Sequence, residues 1–139
     1  LGLHTFVFKF PDKELKVDFN YYPFPRINKD RNWQGLAIDS LEDIAANKVH
    51  TIAMKARERD FIDLYFIMKE TDFNLPRLVD LARAKFDWPI DPVQLGQILT
   101  QVVVFKEPPK MFKPFDRKEM EDFFLKLAKS LQGEIFKSG

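Results

Sequence analysis

The chain has 139 residues, 45% hydrophobic and 31% charged, which suits one soluble domain over residues 1–139 with a core of its own. Its 22 basic and 21 acidic residues leave a formal net charge of +1, so whole-molecule electrostatics give no case for nucleic acid or membrane binding. Cysteine is absent, which excludes disulfides and thiolate metal sites; no apolar run approaches membrane-spanning length, and Leu1-Gly2-Leu3-His4 lacks the order of a signal peptide, so a soluble cytoplasmic protein is expected.

The chain opens on leucine and enters strand-like sequence at once, so residues are expected to precede it. From Thr5 to Phe10 the pattern alternates, with Phe6, Phe8 and Phe10 on one side and Val7 and Lys9 on the other. Pro11-Asp12-Lys13 supplies turn chemistry, and a second strand places Leu15, Val17, Phe19 and Tyr21 on one face and Lys16, Asp18 and Asn20 on the other. The result is a hairpin with one oily face, which needs a helix layer to cover it. A loop with Pro23 and Pro25 follows, and Leu36-Ala37-Ile38 reads as a short third strand.

Ser40 with Asp43 three residues on is a weak capping box, so a helix is expected from Leu41. Its inner stripe reads Leu41, Ile44, Ala45, Lys48 and Ile52, which puts a lysine in the apolar row. In the next helix Phe61, Leu64, Tyr65 and Met68 share one face, Ile62 and Phe66 another, and Asp60, Asp63 and Ile67 the remaining side. Buried charges are costly unless paired, so Lys48 is expected to meet Asp60, Asp63 or both. On physics alone a helix-to-helix salt bridge without chemistry accounts for that network.

Asn74 is placed to cap a helix from Leu75 to about Phe86, with Leu78, Leu81, Ala82 and Phe86 inward, ended by Asp87-Trp88-Pro89. Asp91-Pro92-Val93-Gln94 gives a cap, a first-turn proline and a box-closing glutamine for a helix to about Val103 whose buried side the sequence leaves open. Lys106 to Pro114 is an irregular connector. Its Lys106, Lys110, Lys113, Arg117 and Lys118, interleaved with Phe112 and Phe115, suit single-stranded nucleic acid, but Glu107 and Asp116 dilute the charge and favour a loop pinned by its aromatics. Asp116 with Glu119 starts a last helix to about Leu131, with Met120, Phe123, Phe124, Leu127 and Leu131 as its apolar stripe and Gly133 as its stop. The fold class is thus α+β, a small antiparallel sheet followed by about five helices. His4 and His50 show no metal-ligand spacing, and His50 reads as a helix-surface residue.

Lys48 on its helix, the basic connector Lys55, Arg57 and Arg59, and then Arg59-Asp60-Phe61-Ile62-Asp63-Leu64-Tyr65 resemble the C-terminal motif region of the AbiEii-type nucleotidyltransferases, densely over about thirty residues. The resemblance makes residues 1–38 the remnant of a nucleotidyltransferase sheet and 39–139 its helical portion. It implies an intact toxin, of a toxin–antitoxin or phage-defence pair, that transfers a nucleotide from a nucleoside triphosphate to an RNA or protein acceptor with magnesium and is matched by an antitoxin. It also implies Lys48, Asp60 and Asp63 as a catalytic network, Arg59, Lys55 and Tyr65 as substrate contacts, and Asp18, on the solvent side of its strand, as a metal-side carboxylate. Without the resemblance Asp18 is an ordinary exposed strand residue.

The glycine-serine loop and aspartate-x-aspartate pair of such enzymes do not occur in this chain. The expectation is a C-terminal portion that alone neither transfers nucleotides nor holds magnesium tightly. A non-catalytic module, binding a protein or RNA through its phenylalanine face and basic connector, is the alternative.

Overall fold

The computed structural model describes residues 2–106 and 111–135. Four short strands, β1 (His4–Lys9), β2 (Glu14–Phe19), β3 (Asn32–Trp33) and β4 (Leu36–Ala37), precede five helices: α1 (Leu41–Lys55), α2 (Glu58–Glu70), α3 (Leu75–Phe86), α4 (Pro92–Leu99) and α5 (Arg117–Ile135). The α+β class is as expected, with two separate antiparallel hairpins. The third strand does not join the first sheet; it pairs locally, through a turn in which Gln34 and Gly35 both take positive φ, as a two-residue hairpin connection requires.

The β1–β2 register sets Phe6 against Val17, Phe8 against Leu15 and His4 against Phe19, so the oily side chains share one face as the alternation predicts. Among the described residues the expected helix layer does not cover that face. Phe8 is 52% exposed and Phe19 59%, and the hairpin has no extended contact with any helix. Apolar alternation requires a cover without saying which part of a protein supplies it.

The core lies among the helices. α1 touches α2, α3 and α4, and α5 closes over α4 and α2. Three partners need more than one face of α1, and its buried row is Ala45, Ala46, Val49 and Ile52. The expected stripe is therefore rotated: Leu41 is exposed, while Ile44 and Lys48 are half-buried. The adjacent alanines let neighbouring helices approach closely. Around Phe61 pack Phe105 and Phe124, with ring centroids 5.6 and 4.9 Å away.

Each expected cap forms. The Asp43 amide donates to Ser40 Oγ at 3.0 Å, that of Arg77 to Asn74 Oδ1 at 3.0 Å, and that of Gln94 to Asp91 Oδ1 at 2.8 Å. Asp116 Oδ1 accepts from the Lys118 and Glu119 amides. α4 buries Leu95, Gly96 and Leu99, then tightens into a 3-10 turn over Thr100–Val104 rather than continuing as α-helix. Gly133 does not stop α5, which runs to Ile135; its Cβ position is open space, so nothing forces a turn there.

In the connector, Glu107 and Lys110 lie outside the described residues. The rest is pinned in part: Lys113 Nζ pairs with Glu70 at 2.9 Å, Phe115 meets Phe66 edge-on, and Arg117 pairs with Glu58 and donates to the Phe105 carbonyl, whereas Phe112 is fully exposed and pins nothing.

Candidate functional site

α1 ends at Lys55, and the chain turns through Ala56 and Arg57 into α2, so Lys48 faces the first turns of the next helix. Its ammonium donates to Asp60 Oδ1 at 3.0 Å and pairs with Asp63 Oδ2 at 2.6 Å. Arg57 reaches the same Asp60 from the other side, Nε to Oδ2 at 2.8 Å and Nη2 to Oδ1 at 3.3 Å. Lys48 thus meets both aspartates. Asp60 is 1% exposed, Lys48 24% and Asp63 51%, so the network runs from the core to solvent.

Burial opposes the Lys48 ammonium, but its bonds to Asp63 and Asp60 outweigh that and raise its pKa above the ordinary lysine range. Burial likewise opposes the Asp60 carboxylate, and its bonds from Arg57 and Lys48 overcome this and hold its pKa below the usual range. Both groups stay charged at neutral pH. Such an arrangement presents a fixed ammonium and an accessible carboxylate at a surface, where a ligand's phosphate or hydroxyl can compete for them.

Lys55 and Arg59 are exposed at the same corner and make no ion pair among the described residues. Tyr65 lies elsewhere. It is 3% exposed, packs edge-on against Phe66 and Phe123, and is five residues past Asp60, about 140° round the helix. Its hydroxyl environment is Glu119 and Lys69. Packing has claimed the side chain, so direct substrate contact through Tyr65 finds no geometric support.

Asp18 is not brought to Lys48. Its carboxylate accepts from Thr5 Oγ1 at 2.7 Å and pairs with Lys16 at 3.2 Å, both on the hairpin. Those contacts, the Thr5 hydrogen bond foremost, keep its pKa low. Among the described residues no group of three or more His, Asp or Glu side chains gathers as a metal-binding cluster. The described donors therefore do not by themselves gather as a two-metal site. A surface cleft of about 790 Å³ lies between α3 and α4, lined by Arg83, Trp88, Asp91 and Gln94 among others, and none of the network residues borders it.

A model of the family described as "Nucleotidyl transferase AbiEii toxin, Type IV TA system" matches residues 5–134. The chain belongs to the AbiEii nucleotidyl transferase toxin family. An uncharacterized protein of Aquifex aeolicus (strain VF5) is 27% identical over 120 residues, covering 83% of this chain and 56% of that protein. The chain thus spans little more than half the length of this relative. No solved structure matches it. No helix among the described residues is long and apolar enough to cross a membrane.

The more deeply buried ion pair of this AbiEii family member is one that sequence reading passed over. Asp43 is fully buried, and its carboxylate accepts from the Ile27 amide at 2.7 Å, the Asn28 amide at 3.1 Å, Ser40 Oγ at 2.8 Å and Lys85 Nζ at 2.9 Å. Burial works against the charge, and these donors drive its pKa far below the carboxylate range. A signal was present: Leu78, Ala82 and Lys85 stand at helical spacing, so Lys85 shares the inward row of α3. His50, expected at the helix surface, is half-buried. It stacks on Phe86 at 3.9 Å with its Nδ1 buried and unpartnered, and burial pushes its pKa down.

Proposed function

We propose that this chain forms the helical wall of a nucleotide-transfer site in an AbiEii-type toxin, completed by a sheet that carries the glycine-serine loop and the aspartate pair. In the intact protein a nucleotide passes from a nucleoside triphosphate to an RNA or protein acceptor, and by family an antitoxin opposes it. The carrying observation is the Lys48–Asp60–Asp63 network, anchored inside by Asp60 and open to solvent at Lys48, Asp63 and Arg57.

Within this reading Lys48 and Asp63 border the nucleotide, Asp60 fixes the Lys48 ammonium, and Arg59 and Lys55 meet phosphate oxygens, for which guanidinium geometry is well suited. Asp18 contributes a carboxylate on the sheet side. Magnesium belongs to the completed site, since the described donors of this chain do not gather around an ion. The uncovered hairpin face and the greater length of the Aquifex relative both support a missing sheet.

Titration of this chain with magnesium and a nucleoside triphosphate in a calorimeter is expected to give weak heat or none; tight binding contradicts the fragment reading. The same exposed phenylalanines favour the second reading, a non-catalytic module that binds a protein or RNA. Coding sequence upstream separates the two. A glycine-serine loop and aspartate pair there support the enzyme, and a start codon at this point supports the module.

A further inference from the structure

The hairpin lacks extended contact with the helices, so its place relative to Lys48 depends on the segment that follows it, residues 20–28. That segment is tied down at several points. Tyr22 Oη donates to Asn47 Oδ1 at 3.2 Å, one residue before Lys48 in α1. Tyr22, Phe24 and Phe86 form an aromatic cluster, with Phe24 and Phe86 4.7 Å apart. The backbone amides of Ile27 and Asn28 both end on the buried Asp43 carboxylate, which is neutralised by Lys85 from α3, and the Lys85 ammonium also lies 5.7 Å from the Tyr22 ring centre.

We propose that Asp43 and Lys85 are positioning residues that latch the strap of residues 20–28 onto α1 and α3, and so hold the β1–β2 hairpin in a fixed place relative to Lys48. The physical reason lies in the choice of acceptor. A buried aspartate costs desolvation that a buried apolar residue would not, and this one uses its acceptor capacity on two amides of a chain segment that no regular element holds. Asp43 is five residues from Lys48 on one helix, so the strap is fixed to the element that carries the lysine. The inference rests on the proposed site in one respect: a completed sheet bearing Asp18 must stand at a set distance from Lys48 for the two walls to act together.

The absence of cysteine makes the distance measurable, with spin labels at Glu14→Cys on β2 and Lys126→Cys on α5. The parent chain is expected to give one narrow distance distribution by pulsed electron resonance. Replacing both charges together, Asp43→Leu with Lys85→Met, is expected to keep the helices and widen the distribution about twofold or more. The Ile27 and Asn28 amides should then exchange about tenfold faster with deuterium while α2 and α5 amides keep their protection. Unchanged width and exchange with intact helices overturn the proposal.

Should the double variant lose its helices, Asn28→Pro decides, since it removes one strap donor and leaves both buried charges in place. A wider distribution in that variant supports the latch, and an unchanged one overturns it. Neither readout involves a nucleotide, so a negative calorimetric result on the site leaves this outcome untouched, and a failed latch leaves the calorimetry untouched.

Discussion

Two helical lysines pair with buried aspartates, and their surroundings separate them. Lys85 is 1% exposed against a fully buried partner, so Lys85→Met leaves an uncompensated buried carboxylate and is expected to cost about 3 kcal/mol or more, somewhat offset by the strap amides and Ser40 that Asp43 keeps. Lys48 stands at the edge of the core, and without it Asp60 still has Arg57. Lys48→Met should therefore cost only about 1 kcal/mol. Urea unfolding of both variants checks this order. A larger loss for Lys48→Met would return that lysine to the role of a purely structural salt bridge. The sequence pointed Lys48 to Asp60 and Asp63 because i and i+3 spacing puts both carboxylates on one side of α2 and a half-buried ammonium on the preceding helix needs a partner. It passed over Asp43 with Lys85 because a pairing across 42 residues depends on how α3 crosses α1.

At the scale of elements, helices and hairpin differ in what their phenylalanines do. Phe124 is fully buried against Phe61 and Phe123, so Phe124→Ala should cost about 3–5 kcal/mol in thermal or urea unfolding. Phe8→Ala removes a side chain that is half in water already and should change stability by no more than about 0.5 kcal/mol. A loss comparable with that of Phe124 would mean the hairpin face is covered within this chain. The connector belongs at this scale too. Lys113 is engaged with Glu70 and lies over the Phe66 ring, so Lys113→Gln is expected to leave RNA affinity in a filter or fluorescence assay unchanged.

For the whole molecule, the depressed carboxylates set the acid response. Asp43 and Asp60 have folded pKa values below their unfolded ones, so the folded state binds fewer protons and their stabilisation is complete above the ordinary carboxylate range. It is lost as pH falls through that range and below it. His50, with its pKa lowered by burial, adds a loss that begins as pH falls through the ordinary histidine range. Unfolding free energy measured from pH 7 downward should therefore decline in two stages. His50→Phe should remove the earlier stage and Asp60→Asn should make the later one shallower; a flat profile between pH 7 and pH 3 would contradict the assignment. Lys48 acts oppositely, its raised pKa giving stabilisation that is lost only as pH rises past the lysine range.

The sequence by itself determined where the helices start, their caps, the shared face of the hairpin and the placing of Asp60 and Asp63 on one side of α2, because each follows from local periodicity or from side chains bonding amides three residues away. Tertiary structure alone decided which faces are buried, where Tyr65 and His50 lie, and that Asp43 with Lys85 ties the strap down. Those depend on crossing helices and on contacts between distant segments, which no local pattern encodes. The lysine network was foreshadowed by spacing, and the uncovered hairpin emerged only once the helices proved to close over their own core without it.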